Sequence, residues 1–322
     1  MRRYKQAGQQ LIEGFTMQNL IVFAVILLLG LPAPAGADLG GIPGTATWYF
    51  HADFDAMRNG KAGRGVYDWL DAEVFEEIRS EIGIDLDKEA GRLTAFSGPG
   101  EGPVIMLDGN VSQDTRDKIM ALAAADGELQ TFKSSGKAYY FFDGEKGSGG
   151  SGKINIDIDS LRKEAYVSMA IDNKILVTNT QQQMKKLLAD NGVIKSDKRD
   201  GGALFVLRAD RSLVQAGVKA DRMNDGDGWD SNILRNTRQV AVLMADRGEK
   251  LGFEAQLMAN EPEMANSLAS IIRGLISLQA FNEDLDKEIA EVLQSTIVDV
   301  AGSTLSLSLS VNPDTVVSAL ED

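Results

Sequence analysis

Four stretches of the chain carry residues whose types and spacing suggest chemistry. The first is GEKGSGGSGK, Gly144 to Lys153. From Gly147 to Lys153 it reads Gly-x-x-x-x-Gly-Lys, a phosphate-binding loop lacking only its final Ser or Thr. That position is Ile154, so there is no hydroxyl to hold Mg²⁺. The loop also needs a helix after it, whose N-terminus meets the phosphates. Here Ile154, Ile156 and Ile158 alternate as in a strand. The stretch reads as a hairpin linker, not a nucleotide site. The second is His51, the sole histidine, with Asp53 two residues on and so on the same strand face. A base and its orienter for nucleophilic hydrolysis would have to run through this pair. Arg208 and Asp210 stand in the same relation further along, and a cation beside a helix-capping acid in both places reads as structure. The third is NDGDGWD, Asn224 to Asp230. With Gly228 at the sixth position of a Ca²⁺ loop, the first and twelfth are Met223 and Leu234, so both anchoring carboxylates are missing. The fourth is Asp284, Asp286, Glu288 and Glu291, which reads as the solvated side of a helix. Carboxylate pairs for glycoside hydrolysis usually come from distant positions, and nothing local marks one. No catalytic, cofactor-binding or metal-binding residue is assigned.

Whole-chain composition narrows the classes further. The chain has 322 residues, a formal net charge of -14, no Cys and one His. Without Cys there are no disulfides, thiolate metal sites, Cys nucleophiles or lipobox anchor. A strongly acidic surface repels phosphate backbones and argues against nucleic acid as a partner. Hydrophobic residues make up 43%, enough for a packed core.

The N-terminus reads as a secretory leader. Arg2, Arg3 and Lys5 supply the basic region, Leu20 to Leu31 the apolar run, and Ala35-Gly36-Ala37 the small-residue site, with cleavage after Ala37 and a mature start at Asp38. The run is short for a bilayer span, which needs ~20 residues. Retention of the leader as an inner-membrane anchor is the alternative, and Met17 is an alternative start. The expectation is a periplasmic protein.

These features must be positioned by an α+β fold. Strand patterns fall at TATWYF, RLTAF, PVIMLDG, KAYYFFDG, KINIDI, AYVSMAID and KILVTNT. Helical patterns run through Val66, Tyr67, Leu70, Phe75, Ile78 and Ile82, then SQDTRDKIMALAAA with Ser112 as cap, then QQQMKKLLAD. A second series follows. GALFVLRADRSLV matches ATWYFHADFDAM, RQVAVLMAD matches RLTAFSG, a strand–helix pair from Lys250 to Leu275 matches that from Gly102 to Ala123, and STLSLSLSVNPDTVVSAL matches NKILVTNTQQQMKKLL. The sequence therefore predicts two divergent repeats, each a mainly antiparallel sheet packed with helices: leader 1–37, linker 38–44, first repeat 45–193, linker 194–201, second repeat 202–322. Asn260-Glu261-Pro262-Glu263 reads as a helix start, with Met264, Leu268, Ile271, Ile272, Leu275 and Leu278 as its apolar face. Phe281, Leu285, Ile289, Val292 and Leu293 mark the apolar face of the next helix.

The segment WYFHADFDAMRNGKAGRGVYDWL resembles one found in uncharacterised exported bacterial proteins, in which a strand ending in His-Ala-Asp runs into Met-Arg and then a helix. The matching residues are His51, Ala52, Asp53, Met57, Arg58 and Gly63. The resemblance implies an exported, duplicated α+β protein and no particular activity. The functional expectation is a periplasmic, non-enzymatic binding or envelope-associated protein without a cofactor, whose partner is an envelope protein or a small ligand. Membrane contact is expected only if the leader is retained. A hydrolase using carboxylates or a Ser-Lys pair is the enzymatic alternative.

Overall fold

The computed structural model describes residues 46–126, 129–143, 164–193, 203–211, 236–279 and 287–321. The leader site at Ala35, Ala37 and Asp38, the glycine loop, the KINIDI strand, NDGDGWD, Phe281, Asp284, Leu285 and Asp286 lie outside them. The fold is α+β, with strands joined into antiparallel ladders and helices packed on them. Two compact units divide the chain, Gly36–Val206 and Leu207–Asp322.

The first unit begins with β1 (Trp48–Asp53). A helical excursion follows: α1 (Phe54–Asn59), α2 (Gly63–Leu70), a π-helical turn (Asp71–Phe75), α3 (Glu76–Ile82) and α4 (Leu86–Glu89). Its apolar residues Met57, Val66, Tyr67, Phe75 and Ile84 are buried. The chain then runs through β2 (Arg92–Ser97), β3 (Val104–Asp108), α5 (Gln113–Asp126), β4 (Gln130–Ser134), β5 (Lys137–Asp143), β6 (Glu164–Ser168), β7 (Lys174–Thr178) and α6 (Gln181–Ala189). The strand order is β1-β2-β3-β7-β6-β5-β4. Adjacent residues Ile175 and Leu176 point to opposite faces of β7, and both are buried, so this strand is covered on both sides. Ile119 of α5 packs against the buried cluster of Val111, Val167 and Ile175. α6 contributes the fully buried Met184 and Leu188 and meets β4, β6 and β7. Ser112 caps α5 as its sequence predicts, accepting from the Thr115 amide at 3.2 Å. After β3 the backbone closes against Glu89, and a Cβ on Gly109 would overlap the Glu89 carbonyl oxygen.

The second unit contains β9 (Thr237–Asp246), β10 (Leu251–Ala259), α7 (Pro262–Gln279), α8 (Lys287–Ser295), β11 (Ile297–Ala301), β12 (Thr304–Val311) and α9 (Pro313–Glu321). The division between units falls within β8 (Ala203–Asp210). The order is β8-β9-β10-β12-β11. The alternation of TLSLSLSV places Leu305 and Leu307 against α7, in a core shared with Ala255, Leu257, Ala265, Leu268 and Ala269. α7 starts at Pro262 rather than at an Asn260 cap: the Asn260 side-chain amide donates to Asn236 Oδ1 at 3.4 Å instead. Strands β4 and β11 have no counterpart in the sequence reading. Both are only five residues long: β4 (QTFKS) is mostly polar, β11 (IVDVA) is apolar apart from Asp299, and each is held by hairpin pairing, to β5 and β12.

Candidate functional site

The only histidine sits in β1 opposite Thr94 of β2, and His51 Nδ1 shares a 2.8 Å hydrogen bond with Thr94 Oγ1. Asp53 does not act as its orienter. One Asp53 oxygen caps α1, accepting from the Ala56 amide at 2.8 Å, and the other accepts from Arg92 Nε at 3.2 Å. The sequence supplied the capping role, but the cation holding the carboxylate is Arg92 rather than His51.

Arg92 belongs to a row that crosses four strands. The ladder registers set Asp53 opposite Arg92, Arg92 opposite Asp108, and Asp108 opposite Lys174. Charges alternate along this row, the favourable arrangement for directly opposed side chains. Lys174 Nζ contacts Asp108 Oδ1, while Asp108 Oδ2 is buried without a hydrogen-bond partner. The row thus makes one ion pair between β1 and β2, Asp53 with Arg92, and one between β3 and β7, Asp108 with Lys174, at one end of the ladder.

A second polar cluster fastens the helical excursion. Arg58 donates to Asp55 Oδ1 at 2.7 Å, to Tyr67 Oη at 2.9 Å, and to the carbonyls of Asp87 and Ala90 at 2.7 and 3.1 Å. Its guanidinium lies 4.7 Å from the centre of the Tyr67 ring, a cation–π stack. Tyr67 Oη donates in turn to Asp87 Oδ1 at 2.5 Å. Burial, then the hydrogen bond to Asp87, push the phenol up to about 12. Tyr67 is therefore a proton donor locked to a carboxylate, not a base or nucleophile at neutral pH. The arginine fork binds the carbonyls of Asp87, within α4, and Ala90, just after it, so the chemistry of this cluster is closure of a chain excursion. Sequence reasoning singled out Arg58 only through the resemblance. Its partners Tyr67, Asp87 and Ala90 lie 9, 29 and 32 residues further on, so no local pattern marks it.

Among the described residues, no group of three or more His, Asp or Glu side chains is placed to hold a metal ion. Glu291 is exposed, as the sequence suggests for its helix.

One exposed feature is apolar. α7 buries Ala265, Leu268 and Ala269 in its first half, with Met264 and Ile272 packed beside them. In its second half Ile271, Leu275 and Leu278 are 37%, 40% and 69% exposed. Their spacing of four and three residues puts them on one stripe. The one charge in that half, Arg273, is turned back to the Val298 carbonyl at 2.7 Å. The sequence reading placed all six apolar residues of α7 on one face; the structure divides them between the core and solvent. Among the described residues, no helix is long and apolar enough to cross a membrane.

No family model matches the chain, and no curated protein matches it. It is similar to solved structures of TP0453. Crystal form III shares 9% identity with a TM-score of 0.44, over 90% of this chain and 98% of that one. Crystal form IV shares 9% identity with a TM-score of 0.43, over 88% and 96%.

Proposed function

We propose that this is an exported, non-enzymatic binding protein of the cell envelope, and that residues 45–193 and 202–322 are divergent copies of one α+β fold. The observation that carries the binding role is the stripe of Ile271, Leu275 and Leu278 on α7. Exposed apolar residues that line up on one helix, on a chain of net charge -14, suit a contact surface. The two residues that the sequence offers for hydrolysis support the same reading, because His51 is engaged by Thr94 and Asp53 by Arg92 and the α1 amide. Export rests on the leader from Arg2 to Ala37. Duplication is supported by parallel element order. β1-β2-β3 lead to α5 and then to β7 and α6; β8-β9-β10 lead to α7 and then to β12 and α9. In both, the strand before the last helix pairs with the third strand.

Cell fractionation tests the binding role. The wild-type chain is expected with the envelope fraction, and Leu275→Gln/Leu278→Gln in the soluble periplasmic fraction with an unchanged melting temperature. A wild-type chain found wholly in the soluble fraction, or a double variant that stays with the envelope, overturns it.

A further inference from the structure

β11 ends the strand order of the second unit, and among the described residues it pairs only with β12. Such an edge offers unpaired backbone groups to any strand that approaches. Which groups point outward follows from the alternation of the antiparallel ladder. The β9–β10 hairpin is closed by the Arg247 amide donating to the Lys250 carbonyl at 2.9 Å. Counting outward by twos, Gly252, Glu254 and Gln256 bond to β9, so Leu251, Phe253, Ala255 and Leu257 bond to β12. Their partners Leu305, Leu307, Leu309 and Val311 are thereby used. Thr304, Ser306 and Ser308 then bond to Ala301, Asp299 and Ile297 of β11. The same pattern is required by the two-residue turn at Gly302–Ser303, whose flanking pair is Ala301 and Thr304. The backbone groups of Val298 and Val300 therefore face away from β12, along the open edge.

Two side chains meet those groups. Arg273 of α7 donates to the Val298 carbonyl at 2.7 Å. Asp299 Oδ1 accepts from the Val300 amide at 2.9 Å. We infer that Arg273 and Asp299 form an edge guard that keeps β11 from adding the β11 strand of a second copy of this chain. The geometry selects that occupant. An antiparallel pair of β11 strands about a twofold axis at Asp299 sets Val298 opposite Val300 of the other copy. The four bonds of that pairing are Val300 amide to Val298 carbonyl, and Val298 amide to Val300 carbonyl, each twice. The first kind has both its donor and its acceptor already engaged by the guard. The same axis brings the two exposed Asp299 carboxylates face to face, a directly opposed like-charge pair. Asp299 thus acts twice, by occupying an amide and by repelling its own copy. Without the guard, the pair gains four backbone bonds and the exposed Ile297, 65% accessible, gains cover.

The test is sedimentation of the exported chain as wild type, as Arg273→Ala/Asp299→Ala, and as that double variant with Val298→Pro. The Val298 amide points outward, so proline there removes an edge donor and no ladder bond. The double variant is expected to gain a concentration-dependent species of twice the mass that wild type lacks, and Val298→Pro to abolish it. A double variant that sediments as wild type does, or a new species that persists with Val298→Pro, overturns the inference. Should the double variant fail to fold, amide exchange at Val300 decides. It is expected to be slow in wild type and roughly tenfold faster in Asp299→Ala. A Val300 amide that exchanges equally fast in both overturns the guard.

Discussion

Arg92 reaches from β2 to Asp53 at the end of β1, 3.2 Å from Nε to Oδ2, and takes the carboxylate that sequence spacing pairs with His51. The capping oxygen of Asp53 is the other one, so a single side chain both starts α1 and locks two strands together. Asp53→Ala is expected to cost ~1–2 kcal/mol in chemical denaturation, most of it the cap. Asp53→Asn keeps the capping oxygen and loses the charge of a half-exposed pair, for less than ~1 kcal/mol. His51→Gln is expected to be nearly neutral, because an amide can replace the ring in the bond to Thr94. A loss at His51 larger than that at Asp53 would reverse this ranking.

The Tyr67–Asp87 bond predicts an alkaline limit to stability. The phenol titrates near 10.0 in the unfolded chain and at about 12 in the folded one, so the folded state holds the proton more tightly. Its contribution is fully present below pH 10 and is lost as pH rises from 10 to 12. Tyr67→Phe is expected to lower stability at pH 7 by ~1–3 kcal/mol, since Asp87 loses its donor. The same variant should show a shallower decline between pH 10 and 12. Parallel stability–pH curves for the two proteins would refute the assignment.

Gly109 is required by space. A methyl group there meets the Glu89 carbonyl oxygen, which belongs to backbone and has no rotamer to escape into. Gly109→Ala is expected to destabilise by ~1–3 kcal/mol as the chain shifts to relieve the overlap. Gly274→Ala on α7, where nothing lies within 4 Å, should instead stabilise by ~0.5–1 kcal/mol through helix propensity. Thermal melts of the two variants should move in opposite directions.

Processing is checked at the N-terminus of the exported chain. Sequencing is expected to begin at Asp38, the residue after Ala35-Gly36-Ala37. A mature chain that begins at Met1 or Met17 would replace the periplasmic proposal with a retained anchor.

The sequence by itself determined what local patterns encode. Alternation specified TLSLSLSV as a strand with one dry face, the Asp53 and Ser112 caps specified where α1 and α5 begin, and the order of strands and helices gave the α+β class. These signals sit within a few residues of the backbone groups they satisfy. The candidate sites depended on distance. Arg92 lies 39 residues from Asp53, and Asp87 lies 20 from Tyr67. No short-range pattern announces such pairs, because ladder register and the return of a helical excursion bring them together. Ile271, Leu275 and Leu278 carry the same periodic signal as Leu268, and only the tertiary packing of α7 decided which of them are buried. The edge guard was equally hidden: Arg273 and Asp299 look like ordinary surface charges until strand pairing sets which amides and carbonyls of β11 face outward.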